Sequence, residues 1–253
     1  MFLDNLQYFW IISFIDESMA SLLVTGTDTE VGKTILIISL AAYYQKYYPD
    51  STLGLFKLLQ TGIGDREIYT QLFGNLDNLK IVTPLCLSTP VAPPVAAAKE
   101  GVNIDLGKIQ QELNNLTQEQ HFVLVEALGG LGSPVTVEFT VADIAGDWGL
   151  ETILVVPVKL GAISQAVANV ALARQTKVNL KGIVLNCREP LDEEEINTLA
   201  PIDLIESLTQ TKILGTMPYL ENYQDLEQLA KNISDLKLEK LLANSAEDLP
   251  RVR

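Results

Sequence analysis

The chain has 253 residues, 47% of them hydrophobic and 20% charged, which is enough for one substantial core and makes a single domain the expectation. Its 32 acidic and 18 basic residues leave a formal charge of -14, and the absence of any Lys/Arg cluster argues against a nucleic-acid partner. The two cysteines, Cys86 and Cys187, show no disulfide-framework or metal-type spacing. Each reads as a small buried hydrophobe, the first in a loop and the second at a strand end, and a reducing cytoplasm fits.

The opening "MFLDNLQYFWIISFIDES" holds an apolar run, Phe9 to Ile15, too short to cross a bilayer. It is flanked by Asp4, Asp16 and Glu17 rather than by a basic segment, so it does not read as a secretory signal, and no membrane association is expected. Met19 stands just ahead of the first strand. Residues 1–18 are therefore expected to be an appendage and 19–253 the folded domain.

Short apolar runs then recur with helical patterns between them. Strands are predicted at Leu22–Thr25, Leu53–Leu58, Phe122–Glu126, Ile153–Val158, Gly182–Asn186 and Ile213–Gly215, with a weaker one at Lys80–Val82. Helices are predicted at Lys33–Tyr47, Arg66–Phe73, Leu106–Asn114, Ser164–Arg174, Glu193–Thr198 and Asp225–Ser234. Continuous rather than alternating apolar runs mean strands buried on both faces, so the expected fold is a single-domain, doubly wound, mainly parallel α/β sheet of about seven strands, which the phosphate-type loop from Gly26 to Thr34 after its first strand makes P-loop NTPase-like. Ligands in such folds sit at the carboxyl ends of the strands. The segment "STPVAPPVAAAKEG", Ser88–Gly101, reads as an excursion over the site or a surface loop, its prolines excluding regular helix through Pro94. The terminal "NSAEDLPRVR" reads as frayed.

The residues that carry chemistry cluster at those strand ends. "LLVTGTDTEVGKT" joins the first strand to its helix and is a near-match to a phosphate-binding loop, with five residues rather than four between Gly26 and Gly32 ahead of Lys33 and Thr34. A helix N-terminus there offers unpaired N–H groups to an anion, Lys33 a charge for the β- and γ-phosphates, and Thr34 a hydroxyl for magnesium. Glu126 closes the strand "FVLVE" and Asp65 follows the second strand, positions suited to magnesium ligation. Alone, each reads equally as a surface charge or, for Asp65, a helix cap. Lys57 and Lys159 end two more strands; a snorkelling surface lysine is the plain alternative for each, although three lysines at three strand ends favour an anion site. Thr61 and Gly62 follow Lys57, and Leu160 and Gly161 follow Lys159 to open a further helix N-terminus. Asn186 either reads a base edge or merely ends its strand, and the only histidine, His121, lacks a nucleophile motif beside it. The "YYQKYY" cluster reads as packing at a helix end.

Taken together, "VTGTDTEVGKT", "FKLLQTG", "VEALGG", "VVPVKLG", "GIVLN" and "GTMPYLEN" resemble, in this order from Ser21 to about Tyr223, the segments of the dethiobiotin synthetase family, including the long loop. The resemblance implies magnesium- and ATP-dependent carboxylation of 7,8-diaminononanoate with CO2 or bicarbonate and ring closure to dethiobiotin, in a homodimer. It implies catalytic roles for Lys33, Lys57 and Thr29, magnesium ligation by Thr34, Asp65 and Glu126, and an adenine site at Asn186, Pro218, Tyr219 and Leu220. The wider ATP-binding set it implies adds Glu30, Val31, Gly32, Ile35, Ala127, Leu128 and Gly129, and the substrate set is Thr61, Lys159, Leu160, Gly161 and Ser164. Ala127 with Leu128, Ser164 and Pro94 depart from the glycine, asparagine and histidine common in the family. Rival readings are a partition- or septum-type ATPase switch, which commonly carries a second lysine early in the loop, and a cobyrinic-acid-type synthetase, which needs a glutaminase cysteine. Neither feature is evident here.

Overall fold

A computed structural model describes residues 21–234 and 236. The readings of residues 1–18 and of the C-terminal decapeptide fall outside the described residues. In chain order the elements are β1 (Ser21–Gly26), α1 (Lys33–Tyr47), β2 (Leu53–Lys57), β3 (Gln60–Thr61), α2 (Asp65–Phe73), β4 (Leu79–Val82), β5 (Cys86–Leu87) and α3 (Pro93–Glu100). There follow α4 (Leu106–Glu119), β6 (Phe122–Gly130), α5 (Val141–Asp147), β7 (Glu151–Pro157), α6 (Ala162–Gln175), β8 (Asn179–Asn186), α7 (Glu193–Leu199), α8 (Ile202–Thr209), β9 (Ile213–Met217) and α9 (Leu226–Ser234).

Seven strands form one parallel sheet in the order β4-β2-β6-β1-β7-β8-β9, and β3 pairs with β5 in a separate two-stranded piece. The period-2 alternation of strand side chains divides the core in two. Leu22, Val24, Leu53, Leu55, Leu124, Ile153 and Val155 face a layer that includes α1, α2 and α9. Leu23, Phe56, Val123, Val125, Leu154 and Val156 face the other, with α4, α5, α6 and α8. Burial on both sides is why these strands lack alternation in the sequence. Helix α1 is buried from Leu36 to Tyr44 because it lies between the sheet and α9, and Ser39 satisfies its hydroxyl on the Ile35 carbonyl at 2.8 Å.

Three expectations need correction. Helix α3 begins at Pro93, because prolines in the first helical turn forfeit no hydrogen bond and supply a helical φ; the prolines exclude helix only upstream. Cys86 is exposed and belongs to β5, where Arg66 Nη1 approaches its sulfur at 3.4 Å, so only Cys187 is the buried thiol expected. Asp65 is not a cap: α2 starts at Asp65 itself, with Gly64 preceding it. Among the described residues no helix is long and apolar enough to cross a membrane.

Candidate active site

In the sheet order, β1 stands between β6, which its own chain direction skips, and β7, so its carboxyl end lies at the crevice where such sheets bind ligands. The loop after β1 is shaped by two left-handed residues, Glu30 at φ 54 and Gly32 at φ 104. Val31 turns inward, 2% exposed, and packs where a Cβ on Gly26 would come within 2.4 Å of its Cγ2. At Gly32 a Cβ would stand 2.1 Å from Asn186 Nδ2, so both backbone angle and space require glycine. Asn186, at the end of β8, donates from Nδ2 to the Val31 carbonyl at 2.9 Å and so ties the loop to the sheet. Helix α1 has no side-chain cap at its N-terminus, so its first N–H groups and positive dipole end face the loop.

Beside the loop lies a buried charge cluster built by strand register. Lys57 of β2 and Glu126 of β6 are direct partners across neighbouring strands, which places Nζ 3.2 Å from Glu126 Oε2. Lys57 also pairs with Asp65 and reaches the Ala127 carbonyl at 3.3 Å. Thr34 Oγ1, in the first turn of α1, is 2.8 Å from Asp65 Oδ1 and 2.8 Å from Glu126 Oε1. Lys33 curls back to donate to the Asp28 carbonyl at 3.0 Å. Two lysines thus balance two carboxylates in formal charge.

The local fields follow from this arrangement. Burial pulls the Lys33 ammonium below its ordinary value, partly opposed by Glu126 and helped by the neighbouring Lys57 charge. For Lys57 burial acts in the same downward direction, but Glu126 and Asp65 outweigh it and the net shift is upward. Burial would raise the Asp65 carboxyl, yet the charge and hydrogen bond of Lys57, with the Thr34 hydroxyl, bring it below the usual carboxylate range. Tyr69 of α2 donates its hydroxyl to Glu126 Oε2; burial first, then the Glu126 charge, lifts its phenol well above normal.

The donor set fits a magnesium ion. A hydroxyl carries one proton and can donate to only one of the two carboxylate oxygens at 2.8 Å, so the second contact is acceptor against acceptor. Thr34 Oγ1, Asp65 Oδ1 and Glu126 Oε1 are hard oxygens of the kind magnesium takes, which is usually held by one or two carboxylates plus phosphate and water.

Two clefts open on either side of the loop, each enclosing about 270 Å³ and sharing Glu30 and Thr34. One is lined by Thr29, Lys33, Lys57, Thr61, Asp65, Glu126, Leu128 and Gly129. The other is lined by Gly32, Ile35, Asn186, Pro218, Tyr219 and Leu220, with Cys187 and Arg188 added.

A family model described as an AAA domain matches residues 20–226. The chain is 62% identical to the ATP-dependent dethiobiotin synthetase of Gloeothece citriformis over 88% of its length and 99% of that protein. It is 60% identical to the enzyme so named from Crocosphaera subtropica, over 88% of this chain and all of that one, 100%. The chain belongs to the ATP-dependent dethiobiotin synthetase family. That makes it an ATP-dependent ligase, as the motif order implied. Among solved structures it resembles a ParA family ATPase from Chlorobium tepidum, with a TM-score of 0.56 at 14% identity over 90% of this chain and 100% of that one. A cell-division MinC:MinD complex from Aquifex aeolicus matches with a TM-score of 0.56 at 16% identity over 92% of this chain and 99% of that one. At those identities the likeness is one of fold, the parallel P-loop sheet.

Set against the dethiobiotin synthetase pattern, most of the predicted residues meet at the two clefts. Val31 and Ala127 lie behind the walls, buried, and contribute a side-chain anchor and a carbonyl. Lys159, Leu160, Gly161 and Ser164 line neither cleft; all four are exposed at the end of β7 and the start of α6, with Leu160 at 90%. Ser164 turns its hydroxyl back to the Gly161 carbonyl at 2.9 Å. Sequence reasoning missed Gln60, Glu67, Tyr69 and Arg188. Gln60 donates to Glu67 Oε2 at 2.8 Å and accepts from Arg66 N at 2.9 Å, which locks the turn carrying Thr61 and Asp65. Tyr69 had a signal: it follows Asp65 by one helical turn and so shares its face. Arg188, 4.0 Å from Glu30, had none.

Proposed function

We propose that the chain closes 7,8-diaminononanoate with CO2 to dethiobiotin at the expense of magnesium ATP, within a catalytic unit that starts at about Met19. The observation that carries this reading is the Lys33, Lys57, Asp65 and Glu126 cluster set against the phosphate loop, two cations beside a two-carboxylate, one-hydroxyl oxygen set.

In this reading the triphosphate lies along the N-terminus of α1, with the base in the cleft of Asn186, Pro218, Tyr219 and Leu220, and the diamine in the cleft of Thr61 and Lys57. One amine nitrogen bonds to the carbon of CO2 and loses a proton, giving a carbamate. A carbamate oxygen attacks the γ-phosphorus, the bond to the β,γ-bridging oxygen breaks, and ADP leaves with that electron pair. The second amine attacks the carbonyl carbon of the resulting anhydride; its carbon–oxygen bond breaks, phosphate departs, and the amine loses its proton as the ring closes. Each step gathers negative charge between Lys33 and Lys57. Positioned cations in a water-poor cleft supply most of the acceleration for this type of transfer. Thr29 and Thr61, at the rim, offer hydroxyls to the carbamate or γ-phosphate. Thr34, Asp65 and Glu126 would hold magnesium, which neutralises phosphate charge.

The exposed Lys159-Leu160-Gly161 segment and Ser164 suit presentation to a second copy of the chain, whose bound substrate would place its carboxylate tail there. A homodimer is therefore part of the reading. Phosphate release by the purified protein with magnesium ATP tests it: release that requires both the diamine and bicarbonate, and disappears in Lys33→Ala and Glu126→Gln, supports the ligase. Release indifferent to the diamine refutes it and points to an ATPase switch.

A further inference from the structure

Glu126 uses its two oxygens differently. Oε1 faces Thr34 Oγ1 at 2.8 Å, on the side of the phosphate loop. Oε2 faces away from it and receives both the Tyr69 hydroxyl and Lys57 Nζ, the latter at 3.2 Å. Tyr69 comes from α2, is 1% exposed, and has its ring in the apolar layer with Phe73 and Leu79. A phenylalanine would fill that layer equally well, so packing does not account for the hydroxyl. Its position against a carboxylate only 1% exposed does.

The proposed reaction asks incompatible things of Lys57. Its charge balances Glu126 and Asp65 in this arrangement, yet phosphoryl transfer needs that charge at the substrate. Without the Tyr69 hydroxyl, withdrawing it would strip Oε2 of both of these donors, and a buried carboxylate oxygen left unpaired is costly. We infer that Tyr69 is a positioning residue for Glu126: its hydroxyl holds Oε2 so that Oε1 stays turned toward Thr34 and the metal position while Lys57 is free to move to the transferring group. This rests on Glu126 being a metal ligand and Lys57 an anion partner, as in the function proposed above.

The test titrates manganese(II) into the full protein with ADP, following the free-ion electron paramagnetic resonance signal, for wild type, Tyr69→Phe, Glu126→Gln and the double variant. Loss of a group that orients a metal ligand typically weakens metal affinity about 10- to 100-fold, and that is the expected result for Tyr69→Phe. ADP affinity in metal-free buffer should not change, whereas a merely structural role would lower it together with the metal affinity. The double variant should bind manganese no more weakly than Glu126→Gln alone, because residues acting through one another are not additive. Turnover should fall in Tyr69→Phe with the diamine KM unchanged. Wild-type manganese affinity in Tyr69→Phe, or additive losses in the double variant, would overturn the inference. Should Glu126→Gln itself retain full manganese affinity, the metal-ligand assignment fails first; weakening in Glu126→Gln alone leaves that assignment standing and removes only the role of Tyr69.

Discussion

Replacing Lys57 with methionine separates the two demands placed on the charge cluster. Lys57 is 4% exposed and is the cation shared by Glu126, 1% exposed, and Asp65, whose side chain is 30% exposed. Removing one partner of a buried pair costs roughly 3–5 kcal/mol, since it strands the other charge. The partial exposure of Asp65 and the remaining Lys33 place Lys57→Met at the lower end. At about 2–4 °C per kcal/mol for a chain of this size, a loss of about 3 kcal/mol lowers Tm by about 6–12 °C. Lys80→Met is the control, because its pair with Glu119 is half exposed on both sides and is worth no more than about 1 kcal/mol. The second half of the experiment adds magnesium without nucleotide. In wild type the ion competes with Lys57 for the two carboxylates; in Lys57→Met it meets them unpaired. A ligand at 100 times its Kd stabilises the native state by about 2.7 kcal/mol, so magnesium should recover much of the lost Tm in the variant and add less to wild type. Thermal melts with and without the ion at about 100 times its Kd read both effects. A variant that melts with wild type, or one whose deficit magnesium leaves untouched, would refute the account of the cluster.

Other expectations follow from single contacts. Gly32→Ala must adopt a left-handed angle and place its Cβ 2.1 Å from Asn186 Nδ2, so nucleotide affinity measured by calorimetry should fall by more than tenfold; near wild-type affinity would show that the loop has another geometry. Asn186→Ala removes the bond to the Val31 carbonyl, a net loss of about 1 kcal/mol or roughly fivefold in ATP affinity. Glu67 is held at a pKa of about 2 by the Gly64 N–H and then the Gln60 amide, so its contribution to stability is present above the ordinary carboxylate value and lost as pH falls from about 4.5 toward 2. Urea midpoints across that window should flatten in Glu67→Gln relative to wild type. A chain starting at Met19 should keep the diamine-dependent phosphate release of the 253-residue chain; its loss would assign the first eighteen residues a part in the fold or the site.

The main sheet was legible because its strands are buried on both faces and carry long apolar runs between turn residues. The elements that were missed have no such signature. β3 and β5 are two residues each and exist only because Gln60 and Thr61 meet Cys86 and Leu87 in the fold. α5 is seven residues with a glycine in its interior, too short for a helical period to emerge, and is set instead by the reciprocal bonds of Thr140 and Asp143. α8 starts behind Pro201 and buries Ile205 while leaving the apolar Leu204 and Leu208 exposed, which blurs the pattern that marks a packed face.

For the site, position in the chain was half of the answer and sheet order the other half. Lys57 and Lys159 both end an apolar strand and read alike. β2 lies beside β6, so the register puts Lys57 opposite Glu126 and next to the phosphate loop, where two carboxylates offset the cost of burying it. β7 lies on the other side of β1, where its neighbour β8 ends in the neutral Asn186, opposite Pro157. Among the described residues neither strand flanking β7 ends in a carboxylate that could draw Lys159 inward, since β1 ends in Gly26 and β8 in Asn186, and Lys159 is exposed. Similar strand ends therefore acquire different chemistry from what the adjacent strand carries. Tyr69 extends the same logic by one layer: its spacing from Asp65 is visible in the sequence, but the carboxylate it serves belongs to β6, and only the packing of α2 on the sheet brings the two together.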